Sequence, residues 1–225
     1  MKLIDTNSIL ELWKNADCVC FDVDSTVCQN EAIDDLAEFV GVGSQVQQLT
    51  NEAMGGSMSF KEALAQRLNI IRPSIDQIHE FNKFQDHKLT PYIKELVELL
   101  HSRDKAVYLV SGGFRVIINQ VADLLGIDRK NVFANTIKFD SKGKYVGFDE
   151  SEMTCESGGK ARVIEHLKRT YQYNRVIMVG DGATDLESCP PADGFIGFGG
   201  NVVRHLVKQN SPWFVHCFSE LIEKV

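Results

Sequence analysis

An α/β fold built on a doubly wound parallel sheet is predicted by three features of the sequence. Short apolar runs at 19–23, 106–110, 176–179 and 195–198 have the length and composition of buried strands. Helical patterns separate them, as parallel neighbours require. The first three runs each open into a loop bearing Asp, Ser or Gly, and parallel strands bring those loops to one edge of the sheet.

The first connection departs from this scheme. It runs from about Gln29 to Leu100, far longer than one crossover helix. An inserted helical cap at 29–89 is therefore expected, with 1–28 and 90–225 forming the core. In the insert, 32–40 has apolar residues at helical spacing and stops at Gly41-Val42-Gly43. Ser59-Phe60-Lys61-Glu62 and Ser74-Ile75-Asp76-Gln77 read as capping boxes. Thr90-Pro91 offers an N-cap and an N1 proline for the helix returning to the core. Alternation around Ser141-Lys142-Gly143 predicts a small β-hairpin near 137–148.

Composition narrows the function classes. The chain has 225 residues, 44% of them hydrophobic, with a net charge of -7. That charge argues against nucleic acid and against an anionic membrane as partners. No apolar run is long enough to span a bilayer, and the N-terminus lacks the apolar region of a secretory signal. The six cysteines, at 18, 20, 28, 155, 189 and 217, form no Cys-x-x-Cys pair, so a cytoplasmic location is expected.

Four constellations carry chemistry. Asp22 and Asp24, in Phe21-Asp22-Val23-Asp24-Ser25-Thr26, have the i, i+2 spacing that turns two side chains to one side of extended backbone. Taken alone, the pair suits a solvated turn equally well. Ser111-Gly112-Gly113 follows the second run, where a hydroxyl and backbone N–H groups at a helix start suit an anion. Alone, a simple Ser cap explains it better. Gly180-Asp181-Gly182-Ala183-Thr184-Asp185 is an acidic loop fit for a hard cation such as Mg²⁺. Lys160 opens a helix that runs to about Lys168. It is not the lysine of a P-loop, because Thr154 and Ala161 occupy positions that motif reserves for Gly and Ser/Thr. Separately each has a bland explanation; four in this order, three of them at one sheet edge, do not.

This order resembles the haloacid dehalogenase superfamily of phosphatases across most of the chain. The resemblance implies one Mg²⁺ per chain, bound by the Asp22 and Asp181 carboxylates and the Asp24 carbonyl. It implies Asp22 as nucleophile, Asp24 as general acid and base, and Asp185 as a partner of Lys160 or of a metal-bound water. Ser111, Gly112 and Lys160 would hold the phosphoryl oxygens. Finer text, including Ala53-Met54-Gly55-Gly56 and Ser111-Gly112-Gly113-Phe114, is similar to the branch acting on O-phospho-L-serine, most closely in eukaryotes. That likeness implies Glu31 for the substrate ammonium, Arg67 for its carboxylate, and Met54, Gly55 and Phe60 lining the pocket. Gly113, Thr184 and Arg204 would lie near substrate or phosphate. Serine biosynthesis is the implied setting, and a homodimer is an assembly left open.

Three other readings share some of these residues. The same machinery could act on another small phosphomonoester, since fold does not dictate substrate. A phospho-acceptor switch also combines a doubly wound sheet, an acceptor Asp, a hydroxyl and a Lys, but needs neither the second acid at 24 nor a cap. An inactive binding module is disfavoured by four intact motifs.

Overall fold

The computed structural model describes residues 6–52, 58–84 and 87–225. Six parallel strands form its main sheet, in the order β3-β2-β1-β6-β7-β8. They are β1 (Cys18–Phe21), β2 (Ala106–Phe114), β3 (Val132–Asn135), β6 (Val176–Gly180), β7 (Gly194–Phe198) and β8 (Trp213–Val215). The predicted hairpin is the separate antiparallel pair β4 (Ile137–Phe139) and β5 (Tyr145–Phe148).

Period-2 alternation builds a layer on each face of the sheet. Val19 and Phe21 of β1 pack with Ile9 and Trp13 of α1 (Thr6–Lys14) and Leu96 and Leu100 of α6 (Ile93–Ser102). Cys18 and Cys20 turn the other way, toward Val163, Ile164 and Leu167 of α8 (Gly159–Tyr171). Burial on both faces is why β1 reads as one unbroken apolar run.

The insert is helical, as expected: α2 (Ala32–Val40), α3 (Gly43–Glu52), α4 (Phe60–Ile71) and α5 (Ile75–Phe84). Gly41 ends α2 at φ 85°, a left-handed cap position that glycine holds without strain. The Ser59–Glu62 box forms in both directions, as does Ser74–Gln77. Leu36, Leu64, Leu68, Ile78 and Phe81 make a second apolar core. It continues onto Phe114 and Ile117, at the start of α7 (Arg115–Leu124), and onto Ile137 and Tyr145 of the hairpin. The chain enters and leaves the insert through two adjacent segments. Gln29 N–H donates to the Lys88 carbonyl at 2.9 Å and Thr90 N–H to the Val27 carbonyl at 2.8 Å.

Four expectations need correction. The first strand ends at Phe21, not 23, because a tight loop closes there. Cys28 N–H donates to the Val23 carbonyl at 2.9 Å, and Ser25 sits at φ 58°. The second strand runs on through the Ser111-Gly112-Gly113 motif to Phe114. Helix α6 begins at Ile93, and the Thr90 hydroxyl donates to the Thr26 carbonyl at 2.6 Å instead of capping it. The sheet also gains β3 and β8, edge strands of four and three residues, too short to stand out as apolar runs.

Candidate active site

Strand β1 lies between β2 and β6, where the strand order changes direction. Such a switch point opens a crevice beyond the carboxyl ends of the strands. Asp22 leaves β1 into it, Asp181 leaves β6, and Ser111 lies on β2 beside them. A cavity of about 690 Å³ opens there. Its lining includes the core residues Asp22, Asp24, Lys160 and Asp181 and the insert residues Glu31, Phe60 and Arg67.

Lys160 is the electrostatic centre. Its Nζ lies 2.6 Å from Asp22 Oδ1 and 2.6 Å from Asp185 Oδ1, and the residue is only 8% exposed. Although burial disfavours its charge, the two carboxylates raise its pKa above the usual lysine value. Asp185 is fully buried. Its Oδ2 accepts from Gly182 N–H at 2.9 Å. Gly180 makes room for it, since a Cβ there would lie 2.3 Å from Asp185 Cγ.

Asp22, Asp181 and Asp185 form a cluster in which one oxygen of each carboxylate lies within 4.8 Å of the others. Burial and the neighbouring Asp185 push the Asp22 carboxyl well above its usual range, against the pull of Lys160. Burial raises Asp185 too. Oxygen donors alone, crowded and short of positive charge, fit a hard divalent cation. Asp181 is braced on both sides: the Thr26 hydroxyl donates to Oδ1 at 3.0 Å and Arg204 Nε to Oδ2 at 2.7 Å.

Asp24 also reaches the cavity, but the loop, not a shared strand face, aims it there. Its Oδ1 accepts from the Ala32 N–H at 2.8 Å and its Oδ2 from the Ser111 hydroxyl at 3.3 Å. Burial raises its pKa above the usual carboxylate value, opposed by the Ala32 N–H. Ser111 is fully buried behind the cavity wall, its oxygen accepting from Gly113 N–H at 2.8 Å. The Phe60 ring covers Gly112, where a Cβ would lie 2.6 Å from the ring. Asn135 supports that turn, donating to the Gly112 carbonyl at 2.8 Å.

Glu31 accepts from the Ser25 hydroxyl at 2.8 Å and lies 3.5 Å from Arg204 Nη2. Burial, with Asp24 nearby, lifts its pKa to about 7. Arg67 is half-buried, its Nε donating to the Ala63 carbonyl at 3.3 Å. Thr184 lines the cavity with Gly112 and Gly113. Met54 and Gly55 lie outside the described residues. Sequence reasoning missed Ile33, Met58, Leu64, Glu156 and Glu187 in the lining, and gave Thr26 no role. Thr26 stood inside a quoted motif; the others carry no local signal.

The fold and this acid–lysine site define a hydrolase class. The chain belongs to the haloacid dehalogenase-like hydrolase family, whose model matches residues 16–193. It is 51% identical over 220 residues to the phosphoserine phosphatase of Mus musculus, covering 98% of each chain. Its fold matches a solved phospho-aspartyl intermediate analogue of phosphoserine phosphatase with TM-score 0.80 and 26% identity, over 93% of this chain and 99% of that one. It also matches DsGPDH of Dunaliella salina with TM-score 0.86 and 37% identity, over 96% of this chain and 37% of that longer one.

Proposed function

We propose that this chain hydrolyses O-phospho-L-serine to L-serine and phosphate through an aspartyl-phosphate on Asp22. The observation that carries the chemistry is the buried Asp22–Lys160–Asp185 triad beside a third acid, Asp24. The near full-length likeness to the mouse enzyme supports the substrate. Such a reaction is the last step of serine synthesis from phosphorylated precursors. A cytoplasmic location accords with the six free thiols.

An Asp22 oxygen attacks phosphorus while the bond from phosphorus to the serine oxygen breaks. Asp24 delivers its proton to that oxygen, releasing serine. Asp24 then takes a proton from water as the water oxygen attacks phosphorus, and the bond to Asp22 breaks. Lys160, the Gly112 N–H and, once its hydroxyl turns from Asp24, Ser111 hold the phosphoryl oxygens as charge redistributes. The Asp22 and Asp181 carboxylates and the Asp24 carbonyl are the proposed ligands of Mg²⁺. When bound, it would offset the repulsion between an anionic carboxylate and an anionic phosphate. Residues 29–89 act as the cap, with Glu31 facing the substrate ammonium and Arg67 its carboxylate.

A substrate panel tests this reading. Phosphate release with Mg²⁺ should favour O-phospho-L-serine over O-phospho-L-threonine and sugar phosphates, and chelation should stop it. Arg67→Ala should erase most of that preference. Equal rates across the panel in the unaltered chain would assign the site to another phosphomonoester.

The elevated pKa of Glu31 predicts a pH limb. Only its carboxylate attracts an ammonium, and Asp24, Asp181 and Arg204 all bear on its titration. The kcat/KM for O-phospho-L-serine should therefore fall as pH drops below about 7. The loss should approach roughly tenfold per unit. Glu31→Gln should lose this limb and keep those of Asp22 and the substrate phosphate. An identical profile in both would remove Glu31 from ammonium recognition.

A further inference from the structure

The loop that carries Asp24, Ser25 and Thr26 must be held in an unfavourable shape. Ser25 sits at φ 58°, a region that side-chain-bearing residues occupy only where their surroundings enforce it. Local bonds close the loop, from Cys28 N–H to the Val23 carbonyl and from Ser25 N–H to the Asn30 carbonyl, and a further hold comes from a distant part of the chain. Asn201 lies in the loop after β7, three residues before Arg204. Its Nδ2 lies 3.1 Å from the Ser25 carbonyl, 3.4 Å from that of Thr26 and 3.3 Å from that of Cys28. It also donates to the Thr90 hydroxyl at 2.8 Å, and that hydroxyl donates onward to the Thr26 carbonyl at 2.6 Å. Two amide hydrogens thus serve four oxygens gathered at one point.

Those oxygens belong to two structures that must agree. Ser25 and Thr26 hold the site: their hydroxyls bond Glu31 and Asp181. Cys28 and Thr90 belong to the two segments by which the chain enters and leaves 29–89, paired at the Cys28–Leu89 bridge. We propose that Asn201 is a positioning residue that pins the catalytic loop and the crossing into the insert to one another. Through it, the placement of the insert relative to the core sets where the Ser25 and Thr26 hydroxyls stand. Asp22 has its own anchor at the Val179 carbonyl and keeps its place without Asn201, whereas Asp24, held by Ser111 and by the Ala32 N–H of the insert, follows the insert in part.

The test rests on the O-phospho-L-serine reading and uses the full chain. Asn201→Asp keeps the shape and replaces the donor by an acceptor facing three carbonyls. Its kcat/KM should drop about 10- to 100-fold, the scale of a small misplacement in a catalytic site. Amide hydrogen exchange should rise at 25–30 and 87–92 while β1 and β6 keep their protection. Thr90→Val removes one hydroxyl from the same cluster and should show the same local pattern in smaller measure, which covers the case of an aspartate variant that does not fold. A rate within about twofold of the unaltered chain, or exchange rising equally across the sheet, would overturn the proposal by making Asn201 irrelevant or merely structural. An unaltered chain inactive on O-phospho-L-serine would sink the substrate reading instead, and the exchange comparison would still decide the role of Asn201.

Discussion

Replacing Asp22 by Asn is expected to reduce phosphate release by about 10⁴-fold or more, the scale seen when a covalent nucleophile is removed. The amide keeps the volume and loses the attacking oxygen's charge. The same change should not destabilise the chelated protein and should raise its melting temperature. Three buried carboxylates crowd there, two of them sharing Lys160 and the third held by Arg204, and removing the Asp22 charge leaves Lys160 paired with Asp185. Burial and the neighbouring acids already disfavour the ionised Asp22. Turnover and thermal unfolding, each with Mg²⁺ and with chelator, check the two halves. An active variant would end the aspartyl-phosphate mechanism; a variant less stable under chelation would end the electrostatic account.

Lys160→Met should fail in the opposite electrostatic sense. It strips the cation from Asp22 and Asp185 and leaves both carboxylates buried without their partner. Breaking a buried pair from one side costs about 3–5 kcal/mol. With chelator, the variant should therefore unfold well below the unaltered chain. Added Mg²⁺ should recover much of the loss, because a cation bound by N but not U stabilises by mass action. Turnover should not recover. A phosphoryl ligand is gone, and loss of one such charge-stabilising donor costs about 10²–10³-fold in rate. Denaturant unfolding across a Mg²⁺ series separates these effects. Stability indifferent to both substitution and metal would refute the charge imbalance inferred for the cluster.

Parts of this architecture were legible because they are written locally. The apolar run at 19–23 read as a strand because both faces of β1 are buried, although β1 itself ends at Phe21. Ser59-x-x-Glu62 read as a helix start because its two hydrogen bonds join residues three apart. Loop geometry was harder. The Asp22–Asp24 spacing suggested one strand face, yet the chain turns after Phe21 and Asp24 is aimed by the Ala32 N–H of the insert. Thr90-Pro91 had the text of a helix start, but the Thr90 hydroxyl met a buried carbonyl from residue 26 and bonded that instead.

The sequence by itself determined the fold class, the helical insert and the acids and lysine of the site. Those features depend on residue type and short-range spacing. Only the tertiary structure decided how the acids divide their work. Lys160 lies against Asp22 and Asp185, Asp181 is held by Thr26 and Arg204, and Asp24 is raised in pKa against Ser111. The same holds for Asn201, which acts on carbonyls more than 170 residues earlier in the chain. A backbone carbonyl has no letter in the sequence. Its need for a donor emerges only when burial removes it from water.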